Sequence, residues 1–200
     1  MSVGAQPVRV DAELLAHAPK LRVIAQSSVG YDNVDVAACT ASGVPFGNTP
    51  GVLTEATADL TYLLVLSAAR RLKESVAIVQ EGRWTPTSPI PLGVDRFGKT
   101  LGRVGLGQIG SAVARRAMAS GMNVIYYNRR RRSPQEENGA VYVDFAELLT
   151  KADFIVVLVP LNEDSRGLFG AAEFAKMKKT AFFINAARGA IVKTEELYAA

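Results

Sequence analysis

Apolar and polar positions divide this chain into three stretches of different rhythm. In the first, Asp11 to Ala18 has the spacing of a short helix stopped by Pro19, and Leu21-Arg22-Val23-Ile24-Ala25 reads as a buried strand. The strand runs into the turn Ser27-Ser28-Val29-Gly30-Tyr31-Asp32. A brief helix follows from Asp35 to Ala41, with Gly43 as its stop. Val44-Pro45-Phe46 is a short extended piece closed by the turn residues Gly47 to Gly51. These residues form one α/β lobe, and the turn is its exit.

The second stretch is helical from Thr54 to near Glu81, with Leu60, Leu63, Leu64 and Ala68 on one face and Gly82-Arg83-Trp84 as its end. Pro86, Pro89 and Pro91 make the segment from Pro86 to Phe97 a loop or arm, against which Trp84 is expected to pack. In the third stretch, continuous apolar strands at Leu101–Gly105, Asn123–Tyr127, Val141–Val143, Phe154–Val159 and Ala181–Ile184 alternate with helices at Ile109–Ser120, Phe145–Thr150 and Ala171–Met177. That alternation predicts a parallel sheet covered on both faces, in the doubly wound α/β form.

Length and composition narrow the class. Two hundred residues, 48% hydrophobic and 21% charged, suit a globular chain of one large or two small domains. The net charge of +4 is matched in number by Arg129 to Arg132 alone. The basic excess therefore points to a local anion site and away from a nucleic-acid face. Cys39 is the one cysteine, so no intramolecular disulfide forms, and it is expected to be a small buried helix residue. The run from Leu60 to Ala69 is too short and too polar to span a bilayer, and no secretory leader pattern is seen. No membrane association and a cytoplasmic location are the expectations, and no metal site is expected.

The chemistry concentrates between Lys99 and Arg132. Gly105-Leu106-Gly107-Gln108-Ile109-Gly110 follows a predicted strand and opens a predicted helix, the context in which glycines let backbone amides approach a pyrophosphate. The end of the next strand selects what sits on the ribose 2′ position: an acid favours a free hydroxyl, whereas Asn128 and the arginines after it suit a phosphate. NADP(H) is therefore the preferred cofactor, with NAD(H) as second choice, and Arg129 and Arg130 are the first candidates for the 2′-phosphate, beside Asn128. Arg103 is a misfit, a charge on the first strand of the sheet where a branched apolar residue would pack better. Arg188 follows Ala186 and Ala187 just past a strand end, where open α/β sheets hold ligands, and is a candidate for carboxylate binding or carbonyl polarisation.

Five segments together resemble the D-isomer-specific 2-hydroxyacid dehydrogenases, in the branch of glyoxylate/hydroxypyruvate and 2-ketogluconate reductases. They are Ser28 to Asp35, Asn48 to Glu55, Gly98 to Gly110, Phe174 to Lys178 and Ile184 to Gly189. The resemblance implies a Rossmann cofactor domain over residues 51–200, incomplete at its C-terminal end. Residues 1–50 would be a partial, flavodoxin-like substrate lobe. It implies that Val29 and Gly30 hold a substrate carboxylate, that Ser28 neighbours the cofactor, and that Val159, Pro160, Ala186 and Ala187 flank the nicotinamide. Arg188 would be the catalytic arginine for reduction of a small 2-oxo acid to the D-2-hydroxy acid, and the helix from Thr54 with its arm would form a homodimer.

Two features depart from the family pattern. The family's glutamate and proton-donating histidine lie downstream of the arginine motif, and the only histidine here is His17, expected to be a surface or packing residue. Lys193 stands where an acid is usual, leaving Thr194 to cap the next helix. A fragment truncated at both ends, binding NADP(H) without turnover or acting through partner contacts, is the alternative expectation.

Overall fold

The computed structural model describes residues 2–3 (backbone only), 8–87 and 92–200. It divides into two compact units, residues 1–53 and 54–200. In the first, strands β1 (Ser2–Val3), β2 (Ile24–Gln26) and β3 (Phe46–Gly47) form a parallel sheet in the order β1-β2-β3. Helix α1 (Ala12–Ala16) starts where the Asp11 carboxylate accepts from the Leu14 amide, and α2 (Val36–Ala41) where Asp35 accepts from Ala38. Both start where the sequence predicts. Cys39 lies buried on α2, packed in a small core with Val10, Leu15, Ile24 and Val34. The strand is shorter than Leu21–Ala25 suggests, because Arg22 and Val23 are exposed and only Ile24 and Gln26 turn inward.

In the second unit, the long helix divides. Helix α3 (Thr54–Ala69) ends before Arg71, which takes a left-handed conformation (φ 51°), and α4 (Leu72–Gln80) starts anew. A non-glycine residue at positive φ breaks the helical ladder, which an apolar periodicity continuing on both sides cannot reveal. The face bearing Leu60, Leu63 and Leu64 is the exposed one, while Ala58, Thr61, Val65 and Ala69 are buried. Small residues face inward because α3 lies close against α5 (Gln108–Ala119), where Ala112, Val113 and Ala114 are buried too. Ion pairs Arg115–Glu55 (2.7 Å) and Arg116–Glu55 (2.9 Å) tie the two helices at the rim. Trp84 is 58% exposed, and part of the arm expected against it, residues 88–91, lies outside the described residues.

Strands β4 (Thr100–Val104), β5 (Asn123–Tyr127), β6 (Val141–Tyr142), β7 (Phe154–Val157) and β8 (Phe182–Asn185) build one parallel sheet in the order β6-β5-β4-β7-β8. The chain winds outward from β4 in one direction, then returns to its other side with β7. Loops leaving β4 and β7 therefore diverge, and a crevice opens at their carboxyl ends. Leu101, Phe154 and Val156 pack under α5, while Val104, Ile155 and Val157 pack on the opposite face beneath α7 (Phe145–Lys151). The burial of four successive residues of β7 is the physical reason its sequence shows no alternation.

Two short helices complete the order, α6 (Pro134–Glu137) and α8 (Ala171–Phe174), followed by α9 (Thr194–Ala199). The sequence reading omits α6, whose start is a capping box between Ser133 and Glu136. The expected cap at Thr194 is also corrected: Thr194 is the first helical residue, and Lys193 occupies the cap position without a side-chain bond.

Candidate cofactor site

The three glycines of the loop after β4 sit in different surroundings. Gly105 has φ +106°, and a Cβ on it would lie 3.0 Å from the Leu158 carbonyl, so a side chain there would collide with the backbone leaving the neighbouring strand β7. Gly107 is the N-cap of α5 with no side-chain cap, and nothing stands within 4 Å of an added Cβ. Gly110 is packed so tightly that a Cβ would meet the Gly105 carbonyl oxygen at 2.5 Å. The result is a helix start whose first amides lack intrahelical acceptors and face open space, a site suited to an anion. Leu106 lies between, its amide donating to Asn128 Oδ1 at 2.7 Å, and Gln108 and Ile109 form the first turn of α5.

The opposite wall follows β5. Asn128 to Arg132 line an open cleft of about 1180 Å³ together with Gly105 to Gly107 and Leu158 to Pro160. Asn128 is there, but its side-chain oxygen is committed to the Leu106 amide, so it ties the two walls together. The arginines differ from one another. Arg129 pairs with Asp164 across the cleft mouth, both about two-thirds exposed. Arg131 donates twice to Glu137 (2.8 and 3.2 Å) and lies 5.7 Å over the Tyr142 ring. Arg132 donates from Nε to the Leu106 carbonyl at 3.0 Å and pairs with Glu136 at 3.1 Å. Arg130 is exposed, and among the described residues no acid pairs with it.

Tyr126 anchors this wall from below: its hydroxyl donates to Glu137 at 2.7 Å and accepts from the Arg132 amide at 3.0 Å. The bonds from Arg131 and Tyr126 hold the Glu137 carboxyl below the usual carboxylate range. Burial, then Glu137, push the Tyr126 phenol up. Asp164, Glu136 and Glu137 are the residues that sequence reasoning missed. Only the Ser133/Glu136 capping-box spacing gave a signal for any of them.

At the exit of β7, Ser165 Oγ donates to the Pro160 carbonyl at 2.7 Å and fixes the bend after Val159. Past β8, Ala187 donates its amide to Asn185 Oδ1 (3.0 Å), and Asn185 Nδ2 donates to the Arg188 carbonyl (2.8 Å). Ala186 and Ala187 are half-buried and Arg188 is exposed, its Nη1 donating to the Ala187 carbonyl at 3.1 Å. These three stand at the carboxyl edge of the same sheet but outside the lining of the cleft.

In the first unit, the Ser28–Gly30 turn is organised from beneath by the buried Gln26. Its Nε2 donates to Ser28 Oγ (2.9 Å) and to the Gly30 carbonyl. Asn48 Nδ2 donates to the Val29 carbonyl at 2.9 Å. With both carbonyls held, the Val29 and Gly30 amides find no acceptor among the described residues. Ser28 Oγ is turned into this network, donating to the Gly30 carbonyl at 2.9 Å. His17 is the exposed C-cap of α1, with Nδ1 2.9 Å from the Glu13 carbonyl.

A strand, a glycine loop and an uncapped helix start at the switch point of a five-stranded parallel sheet define a dinucleotide-binding domain of Rossmann type. The chain belongs to the D-isomer specific 2-hydroxyacid dehydrogenase family, with residues 62–200 matching that family's NAD binding domain. It is 49% identical over 195 residues to a glyoxylate reductase of Thermococcus litoralis, covering 94% of this chain and 59% of that relative. It is likewise 49% identical over 195 residues to glyoxylate/hydroxypyruvate reductase B of Klebsiella pneumoniae, covering 96% and 60%. A crystal structure of a glyoxylate reductase from Paecilomyes thermophila superposes with a TM-score of 0.90 at 39% identity, over 96% of this chain and 58% of that one. The chain thus spans about three fifths of the length of the relatives it matches.

Proposed function

We propose that this chain supplies the NADP(H)-binding half, and the arginine, of a reductase acting on small 2-oxo acids such as glyoxylate, hydroxypyruvate or 2-ketogluconate. The observation that carries the cofactor reading is the uncapped start of α5 facing the cleft, with the arginine wall opposite and no acid at position 128. The residues fit the group. Amides of Gly107 to Ile109 would take the pyrophosphate, Arg129 and Arg130 the 2′-phosphate, and Val159, Pro160, Ala186 and Ala187 would flank the nicotinamide. That cofactor supplies hydride. Arg188 would bind the substrate carboxylate and stabilise the negative charge that grows on the carbonyl oxygen; within the first unit, the Val29 and Gly30 amides are donors of the kind a carboxylate takes.

Relatives named glyoxylate reductase support the substrate class. A homodimer and a cytoplasmic location belong to the same proposal. The exposed face of α3 with Leu60 and Leu63, continued by Val76 and Val79 on α4, supports the first. For the second, no helix among the described residues is long and apolar enough to cross a membrane. The test is NADPH oxidation with glyoxylate, hydroxypyruvate and 2-ketogluconate, in the parent and in Arg188→Gln. Turnover that falls about 100-fold or more in Arg188→Gln is expected. Cofactor binding with no turnover on any 2-oxo acid would keep the dinucleotide half of the proposal and remove the reductase half.

A further inference from the structure

Arg103 lies on β4, the central strand of the five, with 0% of its surface exposed. It is flanked in register by Tyr126 on β5 and Val156 on β7. A guanidinium at such a place is costly unless its donors and its charge are both answered. Two donors are answered by the glycine loop: Nη2 donates to the Gly105 carbonyl at 2.8 Å and Nη1 donates to the Gly110 carbonyl. Its Nε finds no acceptor among the described residues. Gly110 leaves the room, since a Cβ there would stand 2.6 Å from Nη2. The side chain thus occupies a notch between the sheet and the first turn of α5, clamping both ends of the loop.

The charge is not answered. Among the described residues no carboxylate pairs with Arg103, and the titratable group that acts on it, Tyr126, is a phenol bonded to Glu137. Burial lowers its pKa to about 9, so it remains protonated at neutral pH. A fixed cation therefore lies behind a helix start that is itself the positive end of a dipole. Two like potentials stacked in a poorly solvated place favour an anion above them.

We infer that Arg103 is a positioning residue for the dinucleotide phosphates, clamping the glycine loop through the Gly105 and Gly110 carbonyls and taking the bound pyrophosphate as its counter-ion across the loop. This rests on the cofactor reading above. It explains why a charge replaces an apolar side chain on the innermost strand.

The test uses the 200-residue chain with Arg103→Met, which keeps length without charge, and Arg103→Lys, which keeps charge with one donor group. Amide hydrogen exchange over residues 105–110 is read without ligand. Affinities are read for NADPH, for ADP-ribose and for adenosine 2′-monophosphate, which has no pyrophosphate. Arg103→Met is expected to speed loop exchange and to weaken NADPH and ADP-ribose about tenfold, leaving adenosine 2′-monophosphate unchanged; Arg103→Lys recovers part of the loss. Equal weakening of all three ligands, or of none, would overturn the inference. A parent chain that binds neither NADPH nor ADP-ribose overturns the cofactor reading instead. Loop exchange separates the two failures, because unchanged exchange in Arg103→Met overturns the clamp whatever binds.

Discussion

The two walls of the cleft are both positive, by opposite means. On the α5 side the potential comes from main-chain amides and a buried guanidinium, held in place by close packing at Gly105 and Gly110. On the β5 side it comes from exposed arginines, three of them already paired with Asp164, Glu137 and Glu136. The first wall is organised before any ligand arrives, so binding loses little to reorganisation. The second must exchange partners: a phosphate competes with a carboxylate for Arg129, while Arg130 is ready as it stands. Affinity for the shared dinucleotide core thus belongs to the first wall, and discrimination at the 2′ position to the second.

The contrast breaks most sharply at Gly110. Gly110→Val would place atoms on the Gly105 carbonyl and the Arg103 guanidinium, and is expected to weaken NADPH and NADH alike, by about 100-fold, at the upper end of overpacking penalties. Fluorescence titration measures it, with circular dichroism to check that the variant folds; a selective loss of NADPH would mean that the walls do not divide the work this way. Arg129→Ala with Arg130→Ala should act on one ligand only, weakening NADPH about tenfold and leaving NADH unchanged. Asp164→Asn sharpens the comparison in the other direction. Releasing Arg129 from an exposed pair is expected to tighten NADPH about two- to threefold at low salt, an advantage that fades toward about 1 M salt. No gain at low salt would show that Asp164 does not compete for Arg129.

The smallest effect is in acid. Glu137 is held below its ordinary value by Arg131 and Tyr126. What it adds to stability is full above its unfolded value of about 4.3 and is lost as pH falls through its lower folded value. Melting temperature against pH should therefore drop less steeply below that value in Glu137→Gln than in the parent.

Much of the first wall was legible in the sequence. Gly105 and Gly110 carry steric requirements that only glycine meets, and such requirements leave a pattern. That the strands around them form a parallel, doubly wound sheet followed from apolar alternation with helices. The second wall was legible only as charge. That Arg131 is held by Glu137 and Tyr126, or that Asn128 serves the Leu106 amide, depends on pairs brought together by folding, with no spacing to mark them. The break at Arg71 and the exposed side of α3 were hidden for a related reason, since periodicity gives a face but not the neighbour it meets. Arg103 stood out as a local conflict, and its explanation lay seven residues away at Gly110.

The division of labour between the walls is tested most directly by titrating the parent chain with NADPH and with NADH at one ionic strength, following nicotinamide fluorescence. Binding of both, with NADPH tighter by about tenfold, is the predicted result. Equal affinities would contradict the role given to Arg129 and Arg130, and failure to bind either would contradict the role given to the start of α5.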